Sequence, residues 1–252
     1  MQKAAVLIPV YKPRLDADEE ACVSRYFELL RYRDIYFVLP EGRDMSWYSE
    51  RFPAGKHQSF APEFFDGIKG YNKLMLSDGL YAAFEHYEYV LIAQTDAVIW
   101  GNSDELDRYI SEGYDYTGAP WEPPRQIWEW TLTGDIRSHI RCCKHKGDGI
   151  EMGNGGFSLR HVKHCRELLK KHSLRRKLWF RNEDIFFGVF GRDSGIGFKP
   201  APVELGHRFA GEYSLRHRVR TGDIPYAVHG WKKDFSDYGE MKEFLSTYGI
   251  HI

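Results

Sequence analysis

Residues 89–100, YVLIAQTDAVIW, constrain the fold more than any other part of the chain. Val90, Leu91, Ile92 and Ala93 form an unbroken apolar run, the pattern of a strand covered on both faces as in a parallel sheet. The run stops at the polar triplet Gln94-Thr95-Asp96, and hydrophobic residues then resume. A carboxylate at the C-terminal end of such a strand lies in the crevice where open α/β sheets bind ligands. Aspartate is equally a common helix-cap and turn residue, so this position gains weight only from what surrounds it.

The surroundings alternate strand and helix. Residues 4–10 read as a buried strand. Asp16 and Glu19 make a capping-box start for a helix that runs to about residue 32, with Val23, Tyr26, Phe27 and Leu30 at helical spacing. Residues 35–39 read as a second strand closed by Pro40-Glu41-Gly42. An irregular stretch, 52–70, precedes a helix expected from about 72 to 86. Ser103 caps a short helix with Asp104 and Glu105 in its first turn and Gly113 just past its end. Strand–helix–strand order of this kind predicts a parallel sheet with right-handed crossovers. Residues 121–150 break the rhythm with Pro123-Pro124 and the aromatic group Trp121, Trp128 and Trp130. Beyond them lie a short strand (157–159), a helix (161–172), a short helix (184–190), strands near 200–205 and 226–228, and a closing helix (237–248).

At 252 residues the chain has ample material for a core, and with no internal repeat or linker it is expected to form one domain over residues 1–252. A formal net charge of -1 supplies no global field toward nucleic acid, so no nucleic-acid partner is expected. Cys22, Cys142, Cys143 and Cys165 form no CxxC pair, which points to free thiols in a reducing compartment. Neither Cys142/Cys143/His145 nor His161/His164/Cys165 has a partner pair at zinc-site spacing. No stretch approaches the ~18 apolar residues of a membrane span, so no transmembrane segment is expected. The N-terminal apolar run is too short for a signal peptide, and the expected location is cytoplasmic. The basic runs Arg175-Arg176-Lys177 and 216–220 add the expectation of peripheral contact with the inner face of a membrane.

Three further motifs carry chemistry. Gly153-Asn154-Gly155-Gly156-Phe157-Ser158-Leu159-Arg160 allows close backbone approach and positive φ, either for a ligand or for a tight turn. In Asn182-Glu183-Asp184-Ile185 the adjacent carboxylates either satisfy a helix N-terminus or supply a general base tuned by its neighbour. His229, ending a short strand before Gly230-Trp231, is either structural or a nitrogen donor for Mn²⁺ or Mg²⁺ beside Asp96.

In this order and at these separations the motifs resemble the GT-A class of nucleotide-sugar glycosyltransferases, closest to a poorly characterised bacterial group. The resemblance rests on VLIPVYKP, QTDA, GNGGFSLR, NEDIFFG and VHGW and covers roughly residues 4–235. It implies an α/β domain with a mostly parallel twisted central sheet flanked by helices and a smaller second sheet region. The nucleotide-binding half would span about 1–120 and the acceptor-binding half about 121–252. Asp96 and His229 would hold the Mn²⁺ or Mg²⁺ that bridges the donor diphosphate. Pro9, Val10, Tyr11 and Glu41 would surround the nucleoside, with Gln94 reaching a ribose hydroxyl and Lys73 near the phosphates. Trp121, Asn154, Gly155 and Gly156 would shape the acceptor side, with Asp184, or its rival Glu183, as the base. Gln94 stands where the family's motif has its first aspartate, which removes one charge from the metal site.

The activity implied is transfer of a sugar from a nucleotide-diphosphate donor to a carbohydrate acceptor, inverting and metal-assisted, with surface polysaccharide synthesis as a setting and a lipid-linked acceptor among the expectations. Two other readings stay open. A non-catalytic nucleotide-sugar or carbohydrate-binding protein would bind without turnover. A nucleotidyltransferase would carry a glycine-rich basic loop after the first strand, where this chain has Val10-Tyr11-Lys12-Pro13-Arg14.

Overall fold

A computed structural model describes residues 3–103, 105–126, 149–179, 181–192, 194–212, 215–249 and 251. In chain order the elements are β1 (Ala4–Pro9), α1 (Ala17–Leu29), β2 (Asp34–Pro40), α2 (Ser46–Arg51), β3 (Lys56–Phe60), α3 (Gly67–Met75) and α4 (Asp78–Ala83). Next come β4 (Tyr89–Ala93), β5 (Ala97–Ile99), α5 (Glu105–Ser111), β6 (Tyr116–Gln126), β7 (Gly149–His161), α6 (Val162–Lys171) and α7 (Ser173–Lys177). The described chain closes with α8 (Glu183–Arg192), α9 (Val203–Phe209), β8 (Ala210–Gly211), α10 (Leu215–Thr221), β9 (Ala227–His229) and α11 (Tyr238–Ser246).

The central sheet has the order β3-β2-β1-β4-β7-β6, and a three-stranded sheet has the order β5-β9-β8. Strands β3, β2, β1 and β4 are parallel, β7 runs antiparallel to β4, and β6 runs antiparallel to β7. The expected mostly parallel sheet with a smaller second sheet is therefore what forms. Both inner strands are apolar throughout, Ala4–Ile8 in β1 and Tyr89–Ala93 in β4, and all of these residues are buried. Each such leucine or isoleucine contributes ~1.5–3 kcal/mol when fully buried. Helix α1 covers this sheet with Val23 and Tyr26, and its start is fixed as the sequence suggests, the Asp16 N–H donating to the Glu19 carboxylate at 3.1 Å.

Four of the differences from the sequence expectation concern the central sheet and its flanks. The irregular stretch contains β3, an edge strand whose charged and polar KHQSF pattern hides it. The helix expected over 72–86 is two helices, α3 and α4, with the Ser77 hydroxyl capping the second. Residues 200–205 are mainly the start of helix α9, with Pro202 at its N-cap, and Pro200 makes only an isolated bridge to Tyr116. Finally, β6 continues through Pro123-Pro124 to Gln126. It is the last strand of the sheet, where a missing N–H costs no ladder partner on the open side. Trp128, Trp130, Cys142, Cys143 and His145 lie outside the described residues.

The sheet switch positions the site. After Ala93 the chain leaves the central sheet, turns through Gln94-Thr95-Asp96 and enters the second sheet at Ala97. The Tyr26 hydroxyl holds this turn against the carbonyls of Gln94 (2.8 Å) and Ala97 (2.5 Å). Three polar side chains are thereby left at the seam between two sheets.

Candidate active site

A cavity of about 480 Å³ opens beside that seam. Pro9, Val10 and Tyr11 from the end of β1 line one side, Gln94, Thr95 and Asp96 another, and Tyr71 and Leu74 of α3 a third. Tyr11 is 58 % exposed, so its ring is free to cover a flat ligand. Asp16, Asp18, Glu19 and Asp96 face only two lysines here. Lys12 pairs with Asp16 (2.6 Å) and Glu19 (2.9 Å), and Lys232 pairs with Asp18 (2.6 Å). The lining is acidic on balance, and an anionic ligand entering it would need an accompanying cation.

Asp96 and His229 do meet. The His229 Nε2 lies 3.4 Å from the Asp96 carboxylate and 3.1 Å from the Gln94 amide oxygen. Strand pairing brings this about, because Ala97 of β5 lies opposite His229 of β9. Partial burial pushes the Asp96 carboxyl up, but the hydrogen bond and charge of His229 outweigh it and hold the group below the usual carboxylate range. Behind the imidazole, buried Glu212 approaches Nδ1 at 3.9 Å and is contacted by Lys233. Among the described residues, Nδ1 and the Glu212 Oε2 are both buried without a hydrogen-bond partner. A proton on Nδ1 facing Glu212 would leave the Nε2 lone pair toward Asp96 and Gln94, the arrangement of a carboxylate-backed histidine ligand. Carboxylate, imidazole and amide oxygen form a donor set that suits Mn²⁺ or Mg²⁺.

The glycines of GNGG work differently from the sequence expectation. None of Gly153, Gly155 and Gly156 has positive φ, and all three lie within strand β7. Each instead leaves room for a neighbouring side chain. A Cβ on Gly153 would sit 2.5 Å from the Trp121 ring, one on Gly155 2.0 Å from the Glu183 carboxylate, and one on Gly156 2.1 Å from His229 Nε2. Gly156→Ala is accordingly expected to displace the imidazole, with a stability loss of about 1–3 kcal/mol. A thermal melt together with a Mn²⁺ titration checks this; unchanged melting and metal response would contradict the packing.

The acid pair lies on the other side of those glycines, in the first turn of α8. Glu183 is buried and bonded to the equally buried Arg160 at 2.9 Å. Arg160 also donates to Ser158 Oγ (2.9 Å) and Tyr81 Oη (3.0 Å) and lies over the rings of Tyr116 and Phe187. Asp184 accepts from the Gly155 N–H, yet burial and the charge of Glu183 push its pKa up to about 7. Of the two, Glu183 is committed to an ion pair, whereas Asp184 is the carboxyl whose pKa is raised. Buried Asn154 braces this stretch of β7 by accepting from the Gly156 N–H at 3.1 Å.

Other nominated residues lie elsewhere. Glu41 is exposed after β2 and lines neither cavity described here. Lys73 lies outside the Asp96 cavity and lines a neighbouring one. Trp121 is buried against Gly153 and Ile185, so its indole has little free face for a sugar; the stretch from residue 121 that breaks the sequence rhythm is a strand as far as Gln126. Residues that the sequence did not nominate include Arg160 and Glu212, each a buried charge directly contacting a nominated side chain. Spacing gave one usable signal, since Ser158 and Arg160 are two apart and share a strand face. His161 and His164 converge with Asp115, not Cys165, at the far end of β4, where His161 pairs with Tyr89.

None of the curated proteins matches this sequence. The fold is similar to that of an active-site mutant of LgtC (TM-score 0.58, 14 % identity, covering 97 % of this chain and 95 % of that one). It is also similar to mouse xyloside xylosyltransferase 1 in its apo form (TM-score 0.56, 14 % identity, 89 % and 96 %). A third structure, the galactosyltransferase LgtC in complex with donor and acceptor sugar analogs, matches with a TM-score of 0.52 at 15 % identity over 97 % and 95 %. The fold is thus the GT-A fold that these glycosyltransferases share. The family model described as a protein of unknown function (DUF5672) matches residues 55–229, well over half of the sequence, and the chain belongs to that family.

Proposed function

We propose that the protein is a glycosyltransferase that moves a sugar from a nucleotide diphosphate to a carbohydrate hydroxyl with inversion, assisted by a divalent cation. The observation that carries this reading is the placement of Asp184, its pKa pushed up to about 7, across Gly155-Gly156 from the Asp96–His229 pair. Transfer needs a neutralised diphosphate on one side of the anomeric carbon and a deprotonated acceptor hydroxyl on the other.

Each group has a role in that scheme. Tyr11 covers the base, and Gln94 takes a ribose hydroxyl. Asp96, His229 and Gln94 are the residues that would hold Mn²⁺ or Mg²⁺, which supplies charge neutralisation of the leaving diphosphate. The acidic balance of the cavity supports this need, because a diphosphate alone would be repelled. Glu212 orients His229 from behind. Asp184 takes the proton of the attacking hydroxyl, and the Arg160–Glu183 pair fixes the start of α8 so that Asp184 stays in place.

Isothermal titration with UDP and GDP, with and without Mn²⁺, tests the donor site. Asp96→Ala is expected to weaken nucleotide diphosphate binding at least tenfold and to remove its Mn²⁺ dependence. His229→Ala should weaken binding less and recover in part at raised Mn²⁺. Binding in Asp96→Ala equal to wild type would remove the metal assignment.

A further inference from the structure

A second cavity, of about 640 Å³, lies on the opposite face of α3 and shares only Phe64 with the first. Gly67, Ile68, Tyr71 and Leu74 of that helix face the Asp96 cavity, whereas its Lys69, Asn72 and Lys73, with Leu76 just past its end, face this one. Its walls bring together Lys69, Lys73, Arg176, Lys177 and Arg181. The single carboxylate among its lining residues, Asp78, is already bonded to Arg166 at 3.0 Å. Among the described residues, Lys69, Lys73 and Lys177 have no ion-pair partner. Arg176 is held in position by donating to the Leu76 carbonyl at 3.1 Å. Lys69 and Lys73 of α3 and Arg176 and Lys177 of α7 converge without counter-charge among the described residues and repel one another, and an anion placed among them relieves that repulsion.

The cavity connects directly to the acid pair. Asn72 accepts the Glu183 N–H at 3.1 Å and donates to Asn182 at 3.4 Å, so one wall of the cavity is tied to the first turn of α8, where Asp184 lies. Trp179 stands beside it, its indole N–H fixed on the Asn182 carbonyl at 3.0 Å. An aromatic wall next to a cationic one suits a sugar ring that carries a charged substituent.

We propose that this second cavity binds the acceptor through a phosphate group, so that the sugar is transferred to a phosphate-bearing acceptor. Phosphate is favoured because its terminal oxygens can be shared among cations on different segments and it carries up to two charges. The word acceptor rests on the glycosyl-transfer reading; the anion site itself does not.

The test compares binding of glucose 6-phosphate and methyl glucoside by isothermal titration at about 0.15 M salt, where exposed charges are screened beyond ~8 Å. It is paired with co-sedimentation on phosphatidylcholine vesicles with and without phosphatidic acid, which separates a lipid-borne phosphate from a soluble one. Wild type is expected to bind glucose 6-phosphate, or the phosphatidic acid vesicles, at least tenfold more tightly than the phosphate-free counterpart. Lys69→Gln/Lys73→Gln/Lys177→Gln, which alters only exposed side chains, should lose that preference at an unchanged melting temperature. Equal binding of phosphorylated and neutral probes, or a preference that survives in the triple variant, would overturn the proposal. UDP and GDP titrations on the same samples keep the two readings apart. Failure of both nucleotides to bind would count against the donor site, while the phosphate preference would still stand or fall on its own arms.

Discussion

Replacing Arg160 with methionine is expected to cost about 3–5 kcal/mol of stability, because it leaves the Glu183 carboxylate buried without its counter-ion. The pair is fully enclosed, with Arg160 at 0 % and Glu183 at 2 % exposure. Removing the guanidinium also frees Ser158 Oγ and Tyr81 Oη from their bonds to it. Urea unfolding would measure the loss. The double variant Arg160→Met/Glu183→Leu should regain most of it, since two apolar groups of similar size remove both charges together. A loss below about 1 kcal/mol in the single variant would mean that Glu183 does not depend on this arginine. Because Asp184 follows Glu183 directly, the ion pair also bears on function: it fixes the helix turn from which the proposed base projects.

Asp184→Asn is expected to lower turnover by roughly 10²–10⁴-fold while leaving nucleotide diphosphate binding nearly unchanged, since a general base acts on the acceptor and not on the donor. The pH profile follows from the direction of the shift. With its pKa pushed up to about 7 by burial and by Glu183, the carboxyl is mostly protonated at pH 6, so turnover should climb through pH 7 and level off above it. The same shift affects stability in the opposite sense. Between the ordinary value of 3.8 and about 7 the native state binds more protons here than the unfolded chain, so this residue makes folding less favourable as pH rises through that window. Asp184→Asn should therefore be more stable than wild type above pH 7, with the difference shrinking as pH falls toward 4. Melting curves across this range check it. A flat difference would show that the carboxyl titrates normally.

Much of this was legible in the sequence, for reasons that particular residues make plain. The run Val90–Ala93 followed by Gln94-Thr95-Asp96 announces a buried strand that must end at a polar seam, and β4 ends there. His229 was readable as a strand-end residue, and β9 places it beside Asp96. What the sequence concealed was governed by tertiary contacts. Gly153, Gly155 and Gly156 suggest a loop, yet they sit in a strand because Trp121, Glu183 and His229 occupy the space their side chains would fill. Pro123 and Pro124 suggest a break, yet an edge strand tolerates them. The strand β3 carries no apolar alternation because it is the opposite edge. Glu212 gave no signal of its own and Arg160 only its spacing from Ser158, since only the folded chain shows that each buried charge leans on a site residue.

The central claim is tested most directly by incubating the protein with UDP-, GDP- and dTDP-sugars, with and without Mn²⁺, in the presence of neutral and phosphorylated acceptor sugars, and following nucleotide release and acceptor mass together. The account predicts release of a nucleoside diphosphate from at least one donor, a matching gain of one sugar on an acceptor, and loss of both in Asp96→Ala. Nucleotide-sugar binding in wild type with no release from any donor, by transfer or by hydrolysis, would contradict it and leave a binding protein built on the same fold.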